Sequence, residues 1–156
     1  MGAPAAPGTT NTPVSNATVS GALKYVIESA GLGVTVFRDL APPKAPLPLV
    51  VITEGVAWNV ISMGDTDVEG ELCIREQAQV DIYQALKHPD GSRAEQIGLE
   101  DHICWLLHRT KLPSWLIICY GVQILTRSSQ ASADNLRRTI VTLQIDRLLT
   151  IPDGTP

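Results

Sequence analysis

The chain has 156 residues, 44% of them apolar and 18% charged, a balance that supports a packed core and excludes a disordered or collagen-like polymer. Twelve Lys and Arg against sixteen Asp and Glu leave a net charge of −4, which excludes a protein that wraps nucleic acid by charge alone. The three cysteines, Cys73, Cys104 and Cys119, are odd in number and fit reduced, buried thiols better than a disulfide framework.

The first 23 residues carry no Lys or Arg, and apolar runs fall far short of the roughly 20 residues that span a bilayer. The expectation is a protein made in the cytosol with no membrane partner. Residues 1–17 are Ala, Pro, Gly, Thr and Asn with little to bury and read as a flexible tail. Residues 151–156 read the same way, leaving one domain over 18–150.

Thr18 or Ser20 predicts an N-cap, and Val19, Leu23, Val26, Ile27 and Ala30 then recur on one helical face. Gly31 stops that helix, because glycine takes the left-handed conformation cheaply. Val34–Phe37 predicts a short strand. Four prolines between Ala41 and Pro48 predict an extended connector, since proline removes backbone donors. Leu49–Ile52 reads as a buried strand. Val56–Ile61 and Glu71–Ile74 read as arms of a hairpin with its tip at Met63–Asp67. From Gln77 to Leu86, Ala78, Val80 and Ile82 alternate with Gln77, Gln79 and Asp81, the period of a half-buried strand.

His88-Pro89-Asp90-Gly91 predicts a turn. Ser92 and Glu95 have the spacing of a capping box, with Leu99, Ile103, Leu106 and Leu107 as the apolar stripe of a helix over 93–110. Lys111 suits the negative end of its dipole, and Pro113 closes it. Leu116–Leu125 and Arg137–Leu149 predict two long strands, antiparallel across a polar linker at Ser128–Asn135. On the second, Thr139, Val141, Leu143 and Ile145 share a face. The expected fold class is α+β, a mixed and largely antiparallel sheet packed by two helices.

Several constellations raise chemistry and lose it on inspection. Asp65, Asp67, Glu69, Gly70 and Glu76 occupy positions 1, 3, 5, 6 and 12 of a calcium-loop spacing, and clustered carboxylates suit a hard cation. A helix–loop–helix is required on either side, however, and the flanks here predict strands, so a solvated acidic hairpin tip at Asp65, Asp67, Glu69 and Glu71 is the better reading. His102, Cys104 and His108 do not share a helical face, because two residues of helix turn a side chain by about 200°. No G-x-S-x-G elbow and no glycine-rich phosphate loop occur. No catalytic residue, metal ligand or cofactor is therefore expected. Arg137-Arg138, the one adjacent basic pair, is either a solvated strand end or a contact to an acidic partner.

The helix Val19–Ala30 ending at Gly31, the strand Val34–Phe37 leading through Asp39 and the Pro-rich link to Leu49-Val50-Val51-Ile52, the strand ending Val80-Asp81-Ile82-Tyr83, the helix of 93–110 and the closing strand ending Leu143-Gln144-Ile145-Asp146 follow one another in an order that resembles the tail terminator family of long-tailed bacteriophages. The likeness covers residues 18–149. Head-closure and neck proteins share this size and composition and are the alternative reading, with a non-viral α+β binding module as a further one. The resemblance implies a structural, non-enzymatic virion protein, a hexameric ring capping the head-proximal end of the tail. Its partners would be copies of itself, the tail tube protein and the neck or head-closure protein, with DNA passing transiently through the lumen. On that reading the acidic tip would line the lumen and repel phosphate, and Arg137 and Arg138 would lie at an interface. The long final strand would extend a sheet across the subunit boundary.

Overall fold

A computed structural model of the chain describes residues 18–61, 71–96, 98–108, 112, 119–132 and 134–150. The expected tails and the hairpin tip at Met63–Asp67 lie outside these residues. The order of elements is α1 (Val19–Ser29), β1 (Thr35–Arg38), β2 (Leu49–Val60), β3 (Glu71–Ala85), α2 (Leu99–Leu107), β4 (Cys119–Ser132) and β5 (Leu136–Thr150). The strands form one five-stranded sheet in the order β1-β2-β3-β5-β4. β1 runs parallel to β2, and every other pairing is antiparallel. The α+β class with two helices on a mixed sheet is the one the sequence predicts.

Helix α1 begins where its cap satisfies the first backbone donors. Thr18 Oγ1 accepts from the Gly21 N–H at 3.1 Å. Glu54 on β2 accepts from both the N–H and the hydroxyl of Ser20, at 3.0 and 3.1 Å, which places a carboxylate at the positive end of the helix and ties it to the sheet. The helix ends at Gly31, whose φ of +66° is left-handed. Val19, Leu23 and Ile27 are buried on the face the periodicity marks.

The core lies between the two helices and one face of the sheet. Val50 and Ile52 of β2, Ala78, Val80 and Ile82 of β3, and Val141, Leu143 and Ile145 of β5 meet Leu23 and Ile27 of α1 and Ile103 and Leu107 of α2. Each strand contributes alternate residues to this face, as the pleat requires. On the opposite face Leu49 and Val51 are also buried, and with Leu40, Pro42 and Leu47 of the connector they line a cleft of about 370 Å³.

Several expectations are corrected. The separate strands Leu49–Ile52 and Val56–Ile61 are one strand, β2, carried through a bulge between Thr53 and Ala57 where Gly55 takes a φ of +71°. The hairpin arm at Glu71–Ile74 and the strand at Gln77–Leu86 likewise merge into β3. Helix α2 starts at Leu99 rather than 93, and Ser92 with Glu95 is no capping box. Ser92 donates instead to Asp90 from both N–H and hydroxyl, at 2.8 and 2.6 Å, so the turn takes the side chain that a helix would have used. Gly98, with a φ of +85°, then ends that turn and opens the helix. Lys111 and Pro113 lie outside the described residues.

The predicted linker at Ser128–Asn135 is mostly strand, because β4 continues to Ser132. Its polarity reflects an exposed edge, since it contains neither Gly nor Pro. Asn135 takes the left-handed conformation, at a φ of +61°. Its side chain accepts from the Lys87 N–H at 2.9 Å and donates to the Lys87 carbonyl at 2.7 Å, stapling the β4–β5 turn to the end of β3. Finally, β5 is an interior strand between β3 and β4, so it cannot extend the sheet across a subunit boundary. Among the described residues the edge strands are β1 and β4.

Candidate functional site

Alternation along β5 separates Arg137 from Arg138. Arg137 shares parity with Thr139, Val141, Leu143 and Ile145 and so points to the helix-bearing face; Arg138 points to the other. The two do not form one basic patch.

Arg137 meets Glu100, which the first turn of α2 buries against the sheet at 6% exposure. Arg137 Nε donates to Glu100 Oε2 at 2.7 Å and Nη2 to Oε1 at 3.1 Å, a bidentate fork. Arg127 of β4 spans Glu100 at 3.1 Å and Asp101 at 2.6 Å. Gln84 of β3 donates to Glu100 at 3.3 Å. Burial pushes the Glu100 carboxyl up, but the hydrogen bonds from Arg137, Thr139 and Arg127 outweigh it and hold the group at about 2 against an ordinary 4.5. The network lines a polar cleft of about 200 Å³ with Arg93, Glu95 and Gly98. Every charge here has an opposite neighbour, and the effect is to clamp α2 onto β3, β4 and β5. A second inward pair follows the same logic: Arg147 Nε donates to the buried Glu76 at 2.6 Å.

On the opposite face the charges are also matched. Arg75 and Asp146 sit directly across β3 and β5 and form a fork at 2.8 and 3.1 Å. Arg138 Nη2 donates to Asp81 at 3.0 Å, and its guanidinium lies 5.7 Å from the centre of the Tyr83 ring. Asp81 is buried at 6% exposure, where alternation alone predicts a solvent-facing residue. Arg138 and Gln79 compensate that burial, Gln79 Nε2 donating at 3.0 Å. Between the pairs lie Gln77, Thr142, Gln144, Ser128 and Gln130, so the part of this face formed by β3, β5 and β4 is largely polar and these two pairs are charge-matched. A contact of either arginine with an acidic partner must compete with Glu100 or Asp81.

Of the acidic tip, Asp65, Asp67 and Glu69 lie outside the described residues. Glu71 opens β3, and its side chain also lies outside them. The flanks of the tip are the paired strands β2 and β3, and Glu76, position 12 of the calcium spacing, accepts from Arg147. That arrangement has no helix–loop–helix. Among the described residues no group of three His, Cys, Asp or Glu side chains gathers around one point. His108 caps the C-terminus of α2 and its Nδ1 accepts from the Ile124 N–H at 3.3 Å, while His102 packs edge-on to Trp105 with ring centres 6.3 Å apart. Burial raises the pKa of the half-buried Cys104 thiol, which keeps it protonated. Among the described residues no helix is long and apolar enough to cross a membrane.

The feature that the sequence reading missed is the pair of open sheet edges. β1 covers only Leu49–Ile52 of β2, so among the described residues no strand lies outside Ala57–Val60. On the other side no described strand lies outside β4 along its whole length.

No protein-family model and no curated protein matches the chain. Among solved structures, the fold is similar to that of a chain in the virion of a native gene transfer agent (GTA) particle. The TM-score is 0.58 at 14% sequence identity, over 89% of this chain and 100% of that one. At that identity the likeness establishes a shared fold.

Proposed function

We propose that the protein is a structural component of a phage-type virion, and specifically a tail terminator. In this reading it forms a hexameric ring at the head-proximal end of the tail, between tube and neck, and DNA passes through its lumen. Its work is binding, with no reaction to perform. One observation carries the reading: the chain shares its fold almost from end to end with a chain of a GTA virion, and that chain is covered in full. The order of elements from Val19 to Thr150 supports the narrower role through its resemblance to that of tail terminators.

Matched charge supports passage of a polyanion. DNA held by unpaired Lys and Arg would stick, because each neutralised phosphate releases counterions and adds affinity. The Arg75–Asp146 and Arg138–Asp81 pairs leave no excess positive charge on the part of the open sheet face formed by β3, β5 and β4. The hairpin tip carrying Asp65, Asp67, Glu69 and Glu71 adds repulsion if it projects into the lumen.

The test is electron microscopy of the purified protein, alone and mixed with tail tubes. Six-fold rings with an open centre, seated at one end of the tubes, are expected. Lone particles beside bare tube ends would overturn the reading, and rings seated on portal or neck assemblies instead would move the protein to head closure. Replacing the four tip carboxylates by amides should leave the rings intact and change DNA ejection.

A further inference from the structure

The geometry points to the contact that joins one copy of this chain to the next: the open edge of β4, with Trp105 above it, adds to the open outer half of β2 of a second copy. This inference rests on the ring reading and supplies its seam.

Natural sheets protect exposed edges with Lys, Pro or a covering segment. From Thr126 to Ser132, β4 has no Lys, Pro or covering segment among the described residues; the bulge before Thr126 and the inward-turned Arg127, held by Glu100 and Asp101, are the only blunting features on it there. Over seven residues the segment turns the N–H and C=O groups of alternate residues away from β5, a template for another strand. At the opposite side of the sheet, Ala57–Val60 of β2 offers a second such edge. A chain with two different open edges on opposite sides makes a head-to-tail contact, the kind that repeats until a ring closes.

Strand direction agrees. β4 is antiparallel to β5, β5 to β3 and β3 to β2, so β4 and β2 of one copy run in opposite directions. Rotation about an axis lying along the strands preserves those directions. The neighbour's β2 therefore meets β4 antiparallel, the pairing with the better hydrogen bonds.

The apolar side chains agree as well. Trp105 is 76% exposed and presents a large aromatic surface of the kind enriched at the centre of protein interfaces. It follows Asp101 by one helical turn, and Asp101 and His108 both reach β4, so Trp105 stands on the β4 side of the helix layer. Leu125 at the β4 bulge is 40% exposed. On the other edge Val56 and Val60 are 52% and 51% exposed. Val60 pairs with Ile74, whose side chain is in the core, so Val60 faces the helix-bearing side. Extending the sheet across the seam puts Trp105 and Val60 in the same layer.

The test uses two double variants of the full chain, each altering exposed side chains only. Trp105→Asp with Leu125→Lys blocks the β4 side, and Val56→Lys with Val60→Lys blocks the β2 side. Matching circular dichroism and unfolding midpoints show that each is folded. By sedimentation velocity each variant alone should be monomeric, while their equimolar mixture should give a dimer and nothing larger, because one intact edge of each kind remains. Assembly of either variant alone at unmodified affinity, or an unmodified chain that stays monomeric at millimolar concentration, would overturn the seam. Self-dimerisation of the β2-side variant would replace it with a symmetric β4–β4 contact and so overturn it too. Amide exchange gives an independent reading: rates of the amides within 126–132 that point away from β5 should slow at least tenfold when the unmodified chain assembles, and unchanged rates at those positions refute the pairing. The two proposals fail separately. Rings that survive both variants overturn the seam alone; a dimer from the mixture, with open filaments and no rings from the unmodified chain, supports the seam and overturns the ring.

Discussion

Replacing Glu100 by Gln removes one charge from the clamp and keeps its shape. The native carboxyl lies at about 2, against 4.5 when unpaired. A pKa unit corresponds to about 1.4 kcal/mol, so the paired charge contributes about 3 kcal/mol before screening. Its partners Arg127 and Arg137 are 35% and 31% exposed, and solvent screens them, which lowers the contribution to about 2 kcal/mol. A folded-state pKa that is depressed adds stability above the unfolded value, and that stability is lost as pH falls through the folded value. Urea unfolding followed by circular dichroism should therefore place Glu100→Gln about 2 kcal/mol below the native chain at pH 7. The gap should persist to about pH 5 and fall by about half by pH 3, because protonation there does to the native chain what the substitution has already done. A gap below about 0.5 kcal/mol at pH 7, or one that does not narrow between pH 5 and pH 3, would refute the assignment of α2's anchorage to this network.

Other substitutions test separate links in the fold. Thr18→Ala removes the acceptor for the Gly21 N–H and should lower stability by about 1 kcal/mol in urea unfolding. Gly98→Ala has open space for the added carbon, so its expected loss of about 1 kcal/mol comes from the φ of +85° alone, and Gly98→Asn should lose less. Leu143→Ala empties a fully buried position between sheet and helices and should cost about 3 kcal/mol by the same assay. Leu40→Ala, at 81% exposure, should stay within about 0.5 kcal/mol of the native chain.

The sequence by itself determined the inward faces of the elements, though not where each element begins and ends. Val19, Leu23 and Ile27 at helical spacing, and Ala78, Val80 and Ile82 at a period of two, needed no partner to be recognised, because periodicity is a local property of the chain. The same rule already held a sign of the buried charge network. Arg137 and Arg147 share the inward parity of Thr139 through Ile145, and Glu76 that of Ala78 through Ile82. A charge on a buried face requires a partner.

Which partner it finds depends on which strands become neighbours, and only the tertiary structure decided that. Glu100 and Arg137 lie 37 residues apart, and Arg147 reaches Glu76 across 71. The order β1-β2-β3-β5-β4 made the final strand interior and left β4 as an edge, reversing the expectation that the final strand would extend the sheet across a subunit boundary. Local pattern tells a residue which way to face. Whether a strand has a neighbour on both sides is set by long-range pairing, whose hydrogen bonds carry no mark in the side chains.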